Sequence, residues 1–521
     1  MKRGSLNRLS LYPVHIKAAY GGNMILSELL RDIEYKVICG ETENIDITGV
    51  VYDSRKASEG CLFVCISGAN SDGHDFASEV VLNGARVLIT EKDVVVPENA
   101  GITIIRVNDS RYALAYISAA WFGHPADKLK IIGVTGTKGK TTTTYLTRSI
   151  LEEAGHKVGL IGTIETVIDE RHIPSKNTTP ESFILQETFR EMADSGIDTV
   201  VMEVSSQALM MHRTAGFTFD VGVFTNIEPD HIGPNEHKDF EDYLRCKGLL
   251  FRQCKMGIVN GDDEHLKELL KDHTSEITTF GLKITNSLGE KNDLRALNEE
   301  LIKVPGELGV RFDIEGKYDL KGVEVGTPGD FSVYNALCAT AVTLHFGVSA
   351  DNIRTALKKT RVKGRIEAVP VSDKFSLIID YAHNAMALES LLKSLRKYEP
   401  GRLVCVFGCG GNRDKNRRYE MGEVSGRLSD FTIITSDNPR FEEPADIIND
   451  IETGIKKTDG KYIKITDRKE AIAYAIKNGK PGDLIILAGK GHEDYQEIRG
   501  VKHPMDERVL IDEILERTDR E

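Results

Sequence analysis

From Ile131 the chain reads IIGVTGTKGKTTTTYL, an apolar run followed by three glycines, two lysines and four consecutive threonines. Glycines lack a Cβ, so the backbone N–H groups of such a loop can close on an anion. Lys140 could then reach the β- and γ-phosphates of a nucleotide, and the Thr141 hydroxyl could coordinate magnesium. The helix expected to begin there turns its positive end toward the same anion. The spacing departs from the usual phosphate loop, because Val134 stands five residues before Gly139, where a glycine is expected. The loop specifies a nucleotide and no more, since switches, kinases, motors and ligases all use one.

Other residues could act beside it. Glu203 closes the apolar run DTVVME, His231 lies in NIEPDH and Lys247 in YLRCKGLLF. A carboxylate at the end of an apolar strand is suited to a metal, although a helix-capping Glu and a surface His fit the same letters. Lys247 by itself reads as a surface lysine on an amphipathic helix.

These groups need a scaffold that gathers them. Apolar runs alternate with helical patterns from Lys130 to about residue 360, and again from Arg361 in SLIIDYAH, RLVCVFGCGG, DFTIITSD and DLIILAGKG. Strands separated by helices imply an α/β fold with mostly parallel sheets. Several runs end in Gly, Asp or His, at the edge where open α/β sheets hold ligands. A smaller α/β block precedes them, and Leu282 to Val325 reads as a more polar, β-like insertion. The amphipathic stretch MILSELLRDI begins at Met24, and residues 1–23 read as a disordered extension or a start-site artefact.

With 521 residues, a net charge of -13 and 28% charged residues, the chain calls for several domains and offers no extended nucleic-acid surface. No apolar run reaches the ~18–20 residues of a membrane span. Eight cysteines without a CxxC pair suggest buried thiols in a reducing compartment.

Eight motifs then stand in order between residues 131 and 440: TGTKGKTTT, MEVSS, FTNIEPDH, YLRCKGLLF, YNALCA, GRIE, DYAHN and DNPR. With VVYDSRKASEGCLFV and SGANSDGHDF before them and AGKGHEDYQ after, the series resembles the Mur ligases of peptidoglycan synthesis. The resemblance covers nearly all the chain after Met24. It implies the three-domain Mur ligase architecture: a UDP-substrate domain over 24–128, a central P-loop ATPase domain over 129–360, and a Rossmann-like amino-acid domain over 361–521. It also implies a monomeric cytoplasmic ligase of cell-wall biogenesis. That enzyme adds meso-diaminopimelate to UDP-MurNAc-L-Ala-D-Glu as ATP becomes ADP and phosphate. The chemistry requires activation, since a carboxylate oxygen is a poor leaving group and its charge repels a nucleophile. An acyl phosphate removes both obstacles, and cations must gather the two anions that form it.

The same resemblance assigns roles. Gly136, Thr137, Lys138, Gly139, Lys140, Thr141 and Thr142 would hold ATP, joined by Asn335, Arg365 and Asp380. Two magnesium sites are implied, one at Thr141 and one at Glu203 with His231, and Lys247 would carry a carbamate (N6-carboxylysine). Lys140, Lys247, His231 and Arg213 would form the catalytic set. Ser54, Asn177, Thr178, Thr179, Ser205 and Arg213 would hold the UDP-linked peptide. Arg413, Asp437, Asn438, Pro439, Arg440, Gly489 and Glu493 would hold the amino acid. Arg440 offers a planar fork for the distal carboxylate that diaminopimelate has and L-lysine lacks. The chain departs from the family at Lys138, where asparagine is usual, and at DYAHNAM, where DYAHTPD is commoner. The alternatives are the same reaction with L-lysine, a folylpolyglutamate synthase, which would lack the DSR and GHEDYQ elements, and a nucleotide-binding scaffold without catalysis. No residue presents itself as the base for the attacking amine.

Overall fold

The computed structural model describes residues 23–69, 71–233, 236–304 and 307–518. The extension over 1–23 lies, apart from its last residue, outside the described residues. The chain divides into two compact units. One runs up to Ala126 and includes Glu181–Arg190 and Met211–Phe217; the other holds the remainder.

In the first unit, five strands run in the order Lys36–Cys39, Thr103–Arg106, Val87–Thr90, Leu62–Val64 and Val50–Val51, parallel except for the first. Leu62, Val64, Val87, Ile89 and Ile105 bury one face against Leu114 and Ile117 of helix Ser110–Trp121. MILSELLRDI forms only the strand Met24–Ile25, paired with Asp46–Ile47, and a four-residue helix Leu26–Leu29. Its apolar residues serve the sheet's core, and a long helix is not needed to bury Leu26, Leu29 and Leu30.

The second unit contains two sheets. The larger has eleven strands, and its parallel centre runs Val158–Ile161, Thr199–Glu203, Lys130–Thr135, Phe219–Phe224, Cys254–Asn260, Glu276–Gly281 and Leu294–Val304. Near-continuous Val, Ile and Leu runs fit strands covered on both faces. Leu282–Val325, read as an insertion, instead extends this sheet through Leu294–Val304, Glu307–Gly316 and Leu320–Val325, which pair antiparallel. Val310, Phe312, Ile314 and Val323 join the central core, each contributing about 1.5–3 kcal/mol by leaving water. Helix Lys140–Glu153 buries Leu146, Ile150 and Leu151 in that core.

The smaller sheet runs Glu367–Val369, Ser376–Asp380, Leu484–Ala488, Leu403–Phe407, Phe431–Ile434 and Tyr462–Lys464, parallel except at its first edge. Leu308 of the long hairpin packs into this sheet's core beside Leu391, Leu395 and Tyr398. The Tyr398 hydroxyl donates to the Gly309 carbonyl at 2.8 Å and accepts from Gly329 N–H at 3.1 Å. The two sheets of this unit therefore share apolar and polar fastenings. All eight cysteines are free thiols, and seven are buried.

Candidate active site

The strand Lys130–Thr135 ends in the phosphate loop, and helix Lys140–Glu153 leaves it. Gly139 has φ 84°, and no side chain caps the helix, so its first N–H groups remain available to an anion. Gly136 has φ 151°, and a Cβ there would come within 1.9 Å of the Thr225 hydroxyl. Only glycine fits that approach. Thr225 in turn donates to the Lys138 carbonyl at 2.6 Å and the Thr137 hydroxyl lies 3.0 Å from the Tyr243 hydroxyl, so neighbouring elements set the loop's shape. Lys138 forms an ion pair with Glu228 at 2.6 Å, which gives the unusual lysine a partner of its own.

Two lysines meet inside this loop. Lys140 Nζ donates to the carbonyls of Gly136 at 2.8 Å and Thr137 at 3.1 Å, and Lys247 Nζ donates to the same Gly136 carbonyl at 2.9 Å. Lys247 is only 1% exposed. Helix Phe240–Gly248 turns Tyr243 and Lys247 to one buried face, four residues apart, and Lys247 Nζ sits 4.4 Å from the Tyr243 ring centroid. Burial, and then the charge of Lys140, holds Lys247 well below the usual lysine range. Lys140 is lowered too, by burial first and by Arg365, against the pull of Glu203 and Asp230.

Glu203 ends its strand almost fully buried and accepts from the Thr141 hydroxyl at 3.0 Å. Its other contacts are Thr163, through N–H at 2.8 Å and hydroxyl at 3.0 Å. The Thr163 hydroxyl is 3.0 Å from that of Thr178, and the Thr179 hydroxyl donates to the Glu203 carbonyl at 2.9 Å and accepts from Ser205 N–H at 3.1 Å. Thr141, Glu203, Thr178, Thr179 and Ser205 thus form one connected group. His231 does not join it; exposed, at φ 55°, it contacts Glu236 at 3.3 Å. Asn177 is exposed.

In the smaller sheet, Asp380 spends both carboxylate oxygens on backbone, accepting from Ile366 N–H at 2.9 Å and Ala382 N–H at 2.8 Å. Burial raises its pKa, opposed by Arg365. The Arg365 guanidinium lies 4.7 Å from the Tyr381 ring centroid, with its Nε buried and unpartnered. Gly364 and Gly491 meet backbone to backbone: a Cβ on Gly364 would lie 2.1 Å from the Gly491 carbonyl carbon. Asn335 is buried and accepts from the Thr143 hydroxyl at 3.3 Å, and Gly139 leaves just enough room for its amide. Asn384 caps helix Ala385–Arg396, accepting from Ala387 N–H at 2.8 Å.

The loops after Phe431–Ile434 and Leu484–Ala488 bring together most of the remaining candidate residues. Asn438 bonds Glu493 at 2.9 Å, and Gly489 has φ 108°, where a Cβ would press on Asp437. Gly411 N–H donates to the Asn438 carbonyl at 2.8 Å, and the Pro439 carbonyl closes on Gly411. Arg440 is not an open fork. Its Nε donates to Glu497 at 3.2 Å and its Nη1 to the Gly411 carbonyl at 2.7 Å, so only part of the guanidinium remains for a ligand. Arg413 is exposed.

In the first unit, Ser54 opens a short 3-10 turn capped by Asp53. Arg213 lies 3.6 Å from Glu181, which also pairs with Arg111 at 3.1 Å. A cavity of about 680 Å³ lined by Cys39, Glu41, Arg86 and Thr103 contains none of the candidate residues.

Three family models match in chain order. The Mur ligase family catalytic domain covers residues 46–122, the Mur ligase middle domain 134–343 and the Mur ligase glutamate ligase domain 364–491. A UDP-N-acetylmuramoyl-L-alanyl-D-glutamate--2,6-diaminopimelate ligase of Caldanaerobacter subterraneus subsp. tengcongensis is 41% identical over 498 residues, 95% of this chain and all of the relative. The chain belongs to the Mur ligase family. A ligase with the same name, numbered 1, from Clostridium acetobutylicum is 43% identical over 94% of this chain and 99% of its own length. A solved structure of a ligase of that name superposes with a TM-score of 0.70 at 27% identity, covering 96% of this chain and 100% of that one.

As a Mur ligase, the chain is an ATP-dependent ligase whose mixed α/β sheets follow the family architecture. Several working residues were not singled out from the sequence. Lys490 lies within the quoted AGKGHEDYQ, and its flanking glycines were the available signal. Thr225 and Tyr243 stand within the quoted FTNIEPDH and YLRCKGLLF, whereas Thr163 gave no signal, because it acts through Glu203, forty residues away in the chain.

Proposed function

We propose that this Mur ligase joins meso-diaminopimelate to UDP-MurNAc-L-Ala-D-Glu, activating the dipeptide's terminal carboxylate with the γ-phosphate of ATP. The observation that carries the reading is the shared Gly136 carbonyl, where Lys140 and Lys247 converge beside the buried Thr141–Glu203 pair. Thr141 and Glu203 supply hard oxygen donors of the kind magnesium takes, whereas His231, turned to Glu236, would have to leave that contact to serve a second site. Bound magnesium would offset the charge of the phosphates. Lys140 neutralises the transferring phosphate, and Arg365 adds a cation from the smaller sheet, as its effect on Lys140 implies. An uncharged Lys247 amine is the form that adds carbon dioxide, forming an N–C bond and releasing a proton to leave a carbamate anion.

Within the second unit, Asn177, Thr178, Thr179 and Ser205 would hold the peptide end of the UDP substrate; Ser54 and Arg213 are proposed by themselves, in the first unit, as contacts of the UDP substrate. Glu493 and the Asp437–Arg440 loop would take the amino acid, with Arg440 and Arg413 facing its distal carboxylate and Gly489 leaving space for it. Relatives of more than 40% identity named for 2,6-diaminopimelate support this choice over L-lysine. The test is phosphate release from ATP with UDP-MurNAc-L-Ala-D-Glu and each amino acid in turn. Release with meso-diaminopimelate is expected. Release with L-lysine alone would overturn the specificity, and none with any amino acid would overturn the activity.

A further inference from the structure

Lys490 is 0% exposed, yet the assigned roles leave it idle. It stands between Gly489 at φ 108° and Gly491 at φ 53°, and these left-handed turns fold the chain around an inward lysine. Its ammonium donates to the Asn438 side-chain oxygen at 2.9 Å, to Glu493 Oε2 at 2.7 Å and to the Tyr495 carbonyl at 2.5 Å. Three donors meet three acceptors, so the buried charge is fully satisfied. Asp437 Oδ1 lies 3.8 Å from the same nitrogen.

We propose that Lys490 is a positioning residue that sets both the shape and the charge of the amino-acid pocket. Through Asn438 and Glu493 it joins the Asp437–Arg440 loop to the Gly489–Glu493 loop, which come from different strands. Glu493 Oε2 is committed to Lys490 and Asn438, while Oε1 has no hydrogen-bond partner among the described residues. One ammonium faces two carboxylates, Asp437 and Glu493, so the cluster keeps a single negative charge. That charge suits one ammonium of a ligand, while Arg440 stays tied to Glu497. The guanidinium edge that Arg440 does not spend on Glu497 and Gly411 is left for a distal carboxylate, so the ligand class is an amino acid with a distal ammonium beside that carboxylate. A second uncompensated negative charge would repel that carboxylate.

This inference rests on the proposed activity and is tested alongside it. Lys490→Met, of similar length and uncharged, is expected to raise the KM for meso-diaminopimelate about tenfold or more, since it removes a charge-assisted contact to Glu493. KM for ATP and for the UDP-linked dipeptide should stay at the wild-type values, and discrimination against L-lysine should shrink. Lys490→Arg keeps the charge and should show a smaller rise. If Lys490→Met raises all three KM values together, or leaves that for diaminopimelate unchanged, the positioning role is wrong. If it is too unstable to assay, a Lys490→Arg enzyme with wild-type KM for all substrates overturns the role, and a selective rise for diaminopimelate supports it. Wild-type enzyme that does not use diaminopimelate would defeat the proposed function itself, a result these variants cannot imitate.

Discussion

Lys247 and Lys490 lie in the same unit, each removed from water, but only Lys490 has a carboxylate to hold. Lys247 has a carbonyl, an aromatic face and a second lysine for neighbours. An ammonium buried among acceptors and an acid keeps its charge and ties loops together. An ammonium buried beside another cation sheds its proton more readily and becomes a nucleophilic amine. Residue type and burial are alike in the two places; the partners separate a brace from a reactive group.

The contrast can be broken at several points. The largest effect is expected at Lys247: replacement by Ala should lower turnover about 10²–10³-fold, the scale of losing one well-placed electrostatic group. Added bicarbonate should not restore it, whereas a short carboxylic acid should do so in part. An intact-protein mass showing an unmodified Lys247 that can be replaced without loss would end the distinction. Next comes Arg440→Ala, expected to raise the KM for diaminopimelate about tenfold by loss of charged hydrogen bonds. Steady-state kinetics with unaltered KM and unaltered preference over L-lysine would remove Arg440 from recognition.

A smaller effect tests the proton on Lys247. Its folded-state pKa lies below the unfolded value, so between the two the unfolded chain binds more protons. Stability from this group therefore rises with pH through that window and is lowest on its acid side. In buffer depleted of carbon dioxide, Lys247→Met should raise Tm near neutrality by about 2–4 °C and flatten its dependence on pH. Calorimetry across pH showing parallel profiles would assign the slope to other groups. Smallest of all, Asn384→Ala should cost about 1 kcal/mol as a lost helix cap and leave each KM in place. A large kinetic defect in that variant would give Asn384 a role beyond the cap.

The motif residues of the site could be read in the letters because the alternation of runs marks strand ends and helix starts: Glu203 and Asp380 close their strands, and Lys140 and Thr141 open the helix after the phosphate loop. Burial was harder to read. YLRCKGLLF has the pattern of a half-exposed helix, and only the phosphate loop packed over it makes Lys247 an interior residue. The Arg440 fork read as open because Glu497 reaches it from a hairpin more than fifty residues away. Leu282–Val325 read as an insertion because its polar face is as plain in sequence as its buried one. Val310, Phe312 and Ile314 alternate into the core from that same stretch.

The contact between Gly364 and Gly491 also constrains the protein's history. A methyl on Gly364 would drive into the backbone of Gly491 and His492, and one on Gly491 would strike Tyr381 and then the Gly364 carbonyl, so either would disturb the turns bearing Arg365 and Glu493. Neither turn can drift on its own. A lineage that acquires a new preference for its incoming building block must do so with side chains around this seam, since the seam cannot be widened without shifting Arg365.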